Sequence, residues 1–128
     1  MFIHIPLNYI FLVNYIYIYM RIAVCGLGIV GNSLYSSFKL KNIKVYGYDK
    51  YKNYDSFKDC LSTDIIFLCL PTLFDEEKKE YNKDSIYEIC EQLVKNNYIG
   101  IVVIKSTIEP STTNFLAKKY NLKFIHNP

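Results

Sequence analysis

Residues 21–31 read RIAVCGLGIVG, a short apolar run that leads directly into three glycines with the spacing G-x-G-x-x-G. The run Arg21–Cys25 has the length of a buried β-strand, and the next stretch, Ile29–Leu40, places apolar side chains four residues apart, as on one face of a helix. A strand, a glycine loop and a helix in this order are typical of a turn that binds phosphate groups, because the first N–H groups of the helix have no partners within it.

Each glycine of this loop has a predicted task. Gly26 allows a tight turn, Gly28 lets the backbone approach a pyrophosphate, and Gly31 lets the helix pack closely on the strand. The alternative interpretation is that all three are ordinary turn glycines. We predict that the loop binds a dinucleotide, and its candidate cofactor-binding residues are Gly26, Leu27, Gly28, Ile29, Val30 and Gly31.

An acidic residue follows the second predicted strand. The apolar run Ile43–Tyr48 ends at Asp49, where a carboxylate can accept hydrogen bonds from the hydroxyls of the adenosine ribose. Because that charge would repel a 2′-phosphate, Asp49 favours NAD over NADP as the cofactor. Two nearby cations, Lys50 and Lys52, weaken this preference, and Lys50 is itself a candidate cofactor-binding residue. The alternative interpretation of Asp49 is a turn former at the end of a strand.

The same alternation of strands and helices continues along the chain. Near-continuous apolar runs, as expected of strands buried on both faces of a parallel sheet, occur at Arg21–Cys25, Ile43–Tyr48, Asp64–Leu70, Ile99–Ile104 and Leu122–Ile125. Between them, helices are predicted at Ile29–Leu40, at Ser85–Lys95 with Ser85-x-x-Glu88 as a capping box, and after Pro110 with Ser111 or Thr112 as the cap, with one turn around Asp55–Leu61. The pattern predicts an α/β fold, a Rossmann-type doubly wound parallel sheet of about five strands with helices on both faces.

Composition narrows the classes of function. The 128 residues suit one domain, and 51% hydrophobic with 21% charged residues is typical of a globular protein. The net charge of +3 comes from scattered lysines, so nucleic acid is not an expected partner. The four cysteines have neither C-x-x-C nor metal-ligand spacing, which predicts free thiols in a reducing cytoplasm, no metal site and no cysteine nucleophile.

Residues 1–19 are apolar and aromatic and stand apart from the predicted domain at 20–128. The stretch has no basic start or small-residue cleavage site of a signal peptide, and polar residues interrupt it as a membrane span. Three interpretations stay open. The favoured one is a start-site artefact, with Met20 as the true first residue, and the others are a membrane or surface anchor and an extra strand or arm.

Two segments after the later strands resemble the UDP-glucose and GDP-mannose dehydrogenase family. Residues 64–72 read DIIFLCLPT and residues 105–113 read KSTIEPSTT, where the family has roughly DvifiavPTP and kSTvppGTt. The opening 21–31 is similar to the family's kIaviGlGyVG, and the resemblance extends from Met20 to Pro128. The Ser-Thr segment is the most specific part, because other dinucleotide-binding domains do not need it.

This resemblance implies an activity and further site residues. Members of the family oxidise the C6 hydroxyl of a nucleotide sugar to a carboxylate with two NAD, a step that supplies polysaccharide biosynthesis. It implies that Pro71 and Thr72, together with the adjacent Leu70, line the nicotinamide side of the cofactor. It also implies that Ser106 and Thr107 lie near the nicotinamide, with a catalytic role for Thr107 in holding a water. The alternative for both hydroxyls is a turn that caps a helix.

The chain also departs from the family. The segment Lys50–Thr63 is shorter than usual, and the chain ends at Pro128, before the family's nucleophilic cysteine, its lysine and asparagine, and its sugar-binding domain. The expectation is a truncated domain that binds NAD without turnover, with the nucleotide sugar bound by a missing downstream domain and complete members forming homodimers. Alternatives are a 6-phosphogluconate or 3-hydroxyisobutyrate type dehydrogenase and a non-catalytic NAD-sensing module.

Overall fold

A computed structural model describes residues 6–11 and 19–128 of the chain. Residues 7–11 are helical. The elements that follow are β1 (Ile22–Cys25), α1 (Ile29–Leu40), β2 (Val45–Tyr48), α2 (Phe57–Cys60), β3 (Ile65–Leu68), β4 (Phe74–Asp75), β5 (Glu80–Tyr81), α3 (Asp84–Lys95), β6 (Ile101–Ile104), α4 (Thr112–Tyr120) and β7 (Lys123–His126).

Five of the strands form one parallel sheet in the order β2-β1-β3-β6-β7. The predicted doubly wound fold is therefore confirmed. The chain leaves β1 for the edge strand β2 and then crosses back to β3 on the other side of β1, so the strand order reverses between β1 and β3. In open sheets of this kind, ligands bind outside the carboxyl ends of the strands at that reversal.

Helices cover both faces of the sheet. Successive residues of a strand point to opposite faces, so the apolar strands present side chains on both faces that must be buried. On one face, Leu34 and Phe38 of α1 pack against the buried side chains of Val24 and Val45. On the other face, α2, α3 and α4 contribute Cys60, Leu93 and Leu116 to the cluster that buries Ala23, Ile66 and Val102. Each fully buried aliphatic side chain contributes roughly 2 kcal/mol to folding, so the two layers hold the strand ends in fixed positions.

The predicted capping box of helix α3 is wrong. Helix α3 begins at Asp84, whose N–H donates to the side-chain oxygen of Asn82 at 2.9 Å. Because Lys83 is the N-cap, Ser85 already lies inside the first turn, and no side-chain cap forms from the Ser85-x-x-Glu88 pattern. The N-cap of α4 is Ser111 as predicted, with a left-handed φ of 71° and no capping hydrogen bond from its side chain.

The only capping box among the helices described here lies in the short connection where one turn was predicted. The Ser56 hydroxyl accepts from the Asp59 N–H at 3.2 Å, and the Asp59 carboxylate accepts from the Ser56 N–H at 3.0 Å. The β4–β5 hairpin, in which Phe74 pairs with Tyr81, is an element that the sequence did not predict. The hairpin lies between β3 and α3.

The predicted extension at residues 1–19 lies largely outside the described residues, which omit 1–5 and 12–18. Leu7 and Phe11 are exposed. Across residues 6–11 and 19–128, no helix combines the length and hydropathy that a bilayer span requires. The three interpretations of the extension stay predictions.

Candidate functional site

A cavity of about 520 Å³ opens where β1, β2 and β3 end, at the reversal of strand order. Its volume is within the range of small-molecule sites. The cavity is lined by Gly26, Gly28, Ile29, Val30, Tyr48, Asp49, Lys50, Tyr51, Lys52, Cys69, Leu70, Pro71, Ser85, Glu88 and Ile89. The topology therefore brings the glycine loop, the acid after the second strand and the exit of the third strand into one space.

The backbone of the glycine loop is held tightly between two strands. Gly26 has φ of 89°, and its N–H donates to the Tyr48 carbonyl at 2.8 Å. A Cβ on Gly26 would overlap the carbonyl oxygen of Cys69, and a Cβ on Gly31 would overlap the carbonyl oxygen of Gly26. Both positions require glycine for reasons internal to the fold.

Gly28 differs from the other two glycines, because a Cβ there would meet no protein atom within 4 Å. The first helical bond runs from the Asn32 N–H to the Gly28 carbonyl at 2.9 Å, so the N–H groups of residues 28–31 precede the helical ladder. Gly28 is the N-cap and provides no capping side chain. The start of α1 is thus an uncapped, positively polarised helix end that faces open cavity space.

The Asp49 carboxylate joins the end of β2 to the glycine loop. Its Oδ2 accepts from the Leu27 N–H at 2.8 Å and its Oδ1 accepts from the Tyr51 N–H at 2.9 Å. Each carboxylate oxygen has further acceptor capacity that can be used by hydroxyls in the cavity. Leu27 itself is buried and does not line the cavity, so its link to the site is the N–H held by Asp49.

Both lysines after Asp49 line the cavity and have partners. Lys50 Nζ lies 3.0 and 3.2 Å from the carboxylate oxygens of Glu88 on α3, and this hydrogen bond raises the pKa of Lys50. Lys52 Nζ donates to the Leu27 carbonyl at 2.5 Å. Glu88 is a cavity residue that the sequence did not predict, because the Ser85-x-x-Glu88 pattern is also typical of a helix cap.

The exits of β3 and β6 are tied together by two hydroxyls. Ser106 is buried, accepts from the Leu70 N–H at 3.0 Å and donates to the Leu70 carbonyl at 2.7 Å. The Thr72 hydroxyl donates to the carbonyl oxygen of Thr107 at 2.6 Å. Leu70 and Pro71 line the cavity, whereas Thr72, Ser106 and Thr107 do not. Ser106 therefore holds the shape of the strand exit, and the role of the exposed Thr107 hydroxyl stays a prediction.

Glu109, in the loop after β6, anchors the β4–β5 hairpin, and the sequence did not predict this role. The Glu109 carboxylate accepts from the Tyr81 N–H at 2.6 Å and from Lys83 Nζ at 3.0 Å. Partial burial raises the pKa of Glu109, but the hydrogen bonds from Tyr81 and Lys83 outweigh it and lower the pKa to about 2. Glu109 is therefore ionised at neutral pH and fixes the hairpin to the loop after β6.

Cys69 is the cysteine that lines the cavity. Burial raises the pKa of its thiol to about 11, although the charge of Lys105 acts in the opposite direction. At neutral pH the side chain is a protonated thiol with little nucleophilic character. Cys69 thus forms part of the cavity wall.

No family model matches the chain, and no curated protein matches it in sequence. Its fold is similar to a GDP-mannose dehydrogenase from Pseudomonas aeruginosa, solved as a ternary complex, with a TM-score of 0.63, 19% identity, and coverage of 84% of this chain and 35% of that one. It is equally similar to an imine reductase from Bacillus cereus, with a TM-score of 0.63, 17% identity, and coverage of 84% and 40%. The chain spans less than half of either structure, and at these identities the likeness shows the fold. The resemblance to the nucleotide-sugar dehydrogenases is confirmed at that level.

Proposed function

We propose that the chain is the dinucleotide-binding domain of a nicotinamide-dependent oxidoreductase, with NAD as the preferred cofactor. One observation supports this most strongly: an uncapped helix end and a strand-end carboxylate face the same cavity, at the reversal of strand order. The solved structures that share the fold include a GDP-mannose dehydrogenase and an imine reductase.

The residues present fit such a cofactor. At Gly28 a Cβ would project into open space, so the backbone there leaves room for a pyrophosphate against the N–H groups of residues 28–30. Asp49 accepts hydroxyl groups of the adenosine ribose with the acceptor capacity that Leu27 and Tyr51 leave unused. Leu70 and Ile89 provide apolar wall for the planar base. When bound, the nicotinamide supplies the hydride acceptor or donor.

The finer proposal is a nucleotide-sugar dehydrogenase, in which the C6 hydroxyl of the sugar is oxidised to a carboxylate. Its support is the resemblance of residues 64–72 and 105–113 to that family, together with a GDP-mannose dehydrogenase among the structures with this fold. In this proposal Thr107, at the carboxyl end of β6, helps to hold a water near the nicotinamide. Because the chain spans 35% of that dehydrogenase, we propose that the sugar binds to a further part of a longer, homodimeric protein.

A second candidate is a nicotinamide-dependent enzyme with another substrate. Its support is the imine reductase, whose TM-score of 0.63 equals that of the dehydrogenase. The two candidates differ at Thr107. The first candidate predicts that the complete protein oxidises a nucleotide sugar and that Thr107→Val lowers this turnover, whereas the second predicts that the complete wild-type protein does not oxidise a nucleotide sugar.

The cofactor proposal is tested by calorimetry of the full chain with NAD and NADP, beside Asp49→Ala. Wild type is expected to bind NAD more tightly than NADP. Asp49→Ala is expected to weaken NAD binding about 30-fold, or about 2 kcal/mol, because charge-assisted hydrogen bonds to the ribose are lost and the Leu27 N–H loses its acceptor.

Two variants serve as controls for this measurement. Asp49→Asn keeps an acceptor for the Leu27 N–H while removing the charge, so it separates loop geometry from ribose recognition. Glu91→Ala removes an exposed acid of α3 that lies outside the cavity and should leave both affinities unchanged. If folded wild type binds neither dinucleotide, the proposed function is wrong.

A further inference from the structure

An ion pair spans the cavity between the end of β2 and helix α3. Lys50 Nζ contacts both carboxylate oxygens of Glu88, at 3.0 and 3.2 Å. Both residues line the cavity beside Asp49, although they are 38 positions apart in the sequence. Folding therefore places a second carboxylate next to the acid that is proposed to bind the adenosine ribose.

The charges at this end of the cavity balance within the described residues. Asp49 and Glu88 contribute two negative charges, and Lys50 and Lys52 contribute two positive ones. Each lysine has a partner within the protein. Lys50 is paired with Glu88, and Lys52 Nζ donates to the Leu27 carbonyl at 2.5 Å. The sequence alone suggests that these lysines attract a 2′-phosphate, and the structure shows that both already have partners.

We propose that Glu88 is a specificity-determining residue, which discriminates against NADP by holding Lys50 in an ion pair. This inference rests on the proposed dinucleotide function of the cavity. The adenosine ribose lies against Asp49 in that proposal, and Lys50 is the next residue in the chain. A lysine at this position is a natural phosphate ligand when its charge is unpaired.

The two cofactors place different demands on this pair. NAD has a neutral 2′-hydroxyl, which Asp49 can accept while Lys50 stays bound to Glu88. NADP has an anionic 2′-phosphate, which can remain unpaired near two carboxylates, take Lys50 from Glu88 and leave that carboxylate without its cation, or take Lys52 from the Leu27 carbonyl and break that hydrogen bond. Each alternative weakens NADP binding relative to NAD binding.

The size of the effect is limited by solvent. The side chains of Lys50 and Glu88 are 55% and 54% exposed, so water and salt screen their interaction. The interaction between a doubly charged phosphate and an unpaired lysine is stronger than that of an ordinary ion pair on the surface. We therefore expect an approximately tenfold change in specificity on removal of the Glu88 charge.

The test is calorimetry of the full chain with NAD and NADP separately, in wild type and Glu88→Gln at low ionic strength. Glu88→Gln is expected to lower the ratio of the NADP dissociation constant to the NAD dissociation constant about tenfold. The double variant Lys50→Gln/Glu88→Gln should return the ratio towards the wild-type value, because the released cation is gone. Circular dichroism establishes that each variant is folded.

The matched control is Glu91→Gln, which makes the same charge change on an exposed side chain of α3 outside the cavity. Glu91→Gln should leave the ratio unchanged. The inference is overturned if wild type binds NAD and Glu88→Gln leaves the ratio unchanged, or if Glu91→Gln lowers the ratio as much as Glu88→Gln does. If wild type binds neither dinucleotide, the proposed function itself has failed, and this outcome is distinct from the other two.

Discussion

Gly28→Ala is expected to leave the chain folded and to weaken NAD binding about a hundredfold, or about 3 kcal/mol. A Cβ at this position meets no protein atom within 4 Å, so the folded chain has room for it. That same open space is where the proposed pyrophosphate lies against the N–H groups at the start of α1. A methyl group there would push the phosphates away from several charge-assisted hydrogen bonds at once.

The measurement is calorimetric titration of the full-length variant with NAD, together with thermal unfolding to show that the fold is retained. Ser36→Ala, an exposed substitution later in α1, is the matched control and should bind NAD like wild type. An affinity for NAD within threefold of wild type in Gly28→Ala would show that no phosphate lies over this glycine.

Gly31→Ala is expected to have the opposite profile, with a large loss of stability. The Cβ would overlap the carbonyl oxygen of Gly26 and lie 3.2 Å from the Cβ of Cys69. The overlapping atom belongs to the backbone and Gly31 is buried, so no side chain can move aside to make room. The overlap is removed only if α1 moves away from β1. We expect the free energy of unfolding to fall by about 3 kcal/mol, at the upper end of the usual cost of overpacking.

Urea denaturation of wild type, Gly31→Ala and Gly28→Ala measures this difference within one loop and one type of substitution. Gly28→Ala should change the free energy of unfolding by less than about 1 kcal/mol, because its one expected cost is that alanine is a less favourable N-cap residue than glycine. Equal stabilities of the two variants would contradict the close contact between α1 and the glycine loop.

Much of the fold was predictable because parallel strands buried on both faces leave continuous apolar runs in the sequence. Helix α1 has the predicted bounds Ile29–Leu40, where apolar spacing and the preceding glycines agree. Strand β3 spans Ile65–Leu68 and is shorter than the predicted Asp64–Leu70, because Cys69 and Leu70 lie in the irregular segment that follows the strand. Apolar content shows burial, and it does not show where a strand stops pairing.

The residues of the candidate site that come directly after a strand in the sequence were predictable. The glycine loop, Asp49 and the exit of β3 come straight after strands, and parallel strands bring their carboxyl ends together. Glu88 could not be found this way, because it reaches the cavity from helix α3 and not from the end of a strand. Glu109 was missed for a similar reason, since its partners lie on a hairpin with no clear sequence signal.

In the proposed function, the N–H groups at the start of α1 and the Asp49 carboxylate together bind a dinucleotide. The most direct test is a titration of the ¹⁵N-labelled full chain with NAD, followed residue by residue through the backbone amide signals. Saturable shifts are expected at the amides of residues 26–31, 49–52 and 69–70, in the loops that border the cavity. Saturable shifts elsewhere, or none at all in a folded sample, would contradict it.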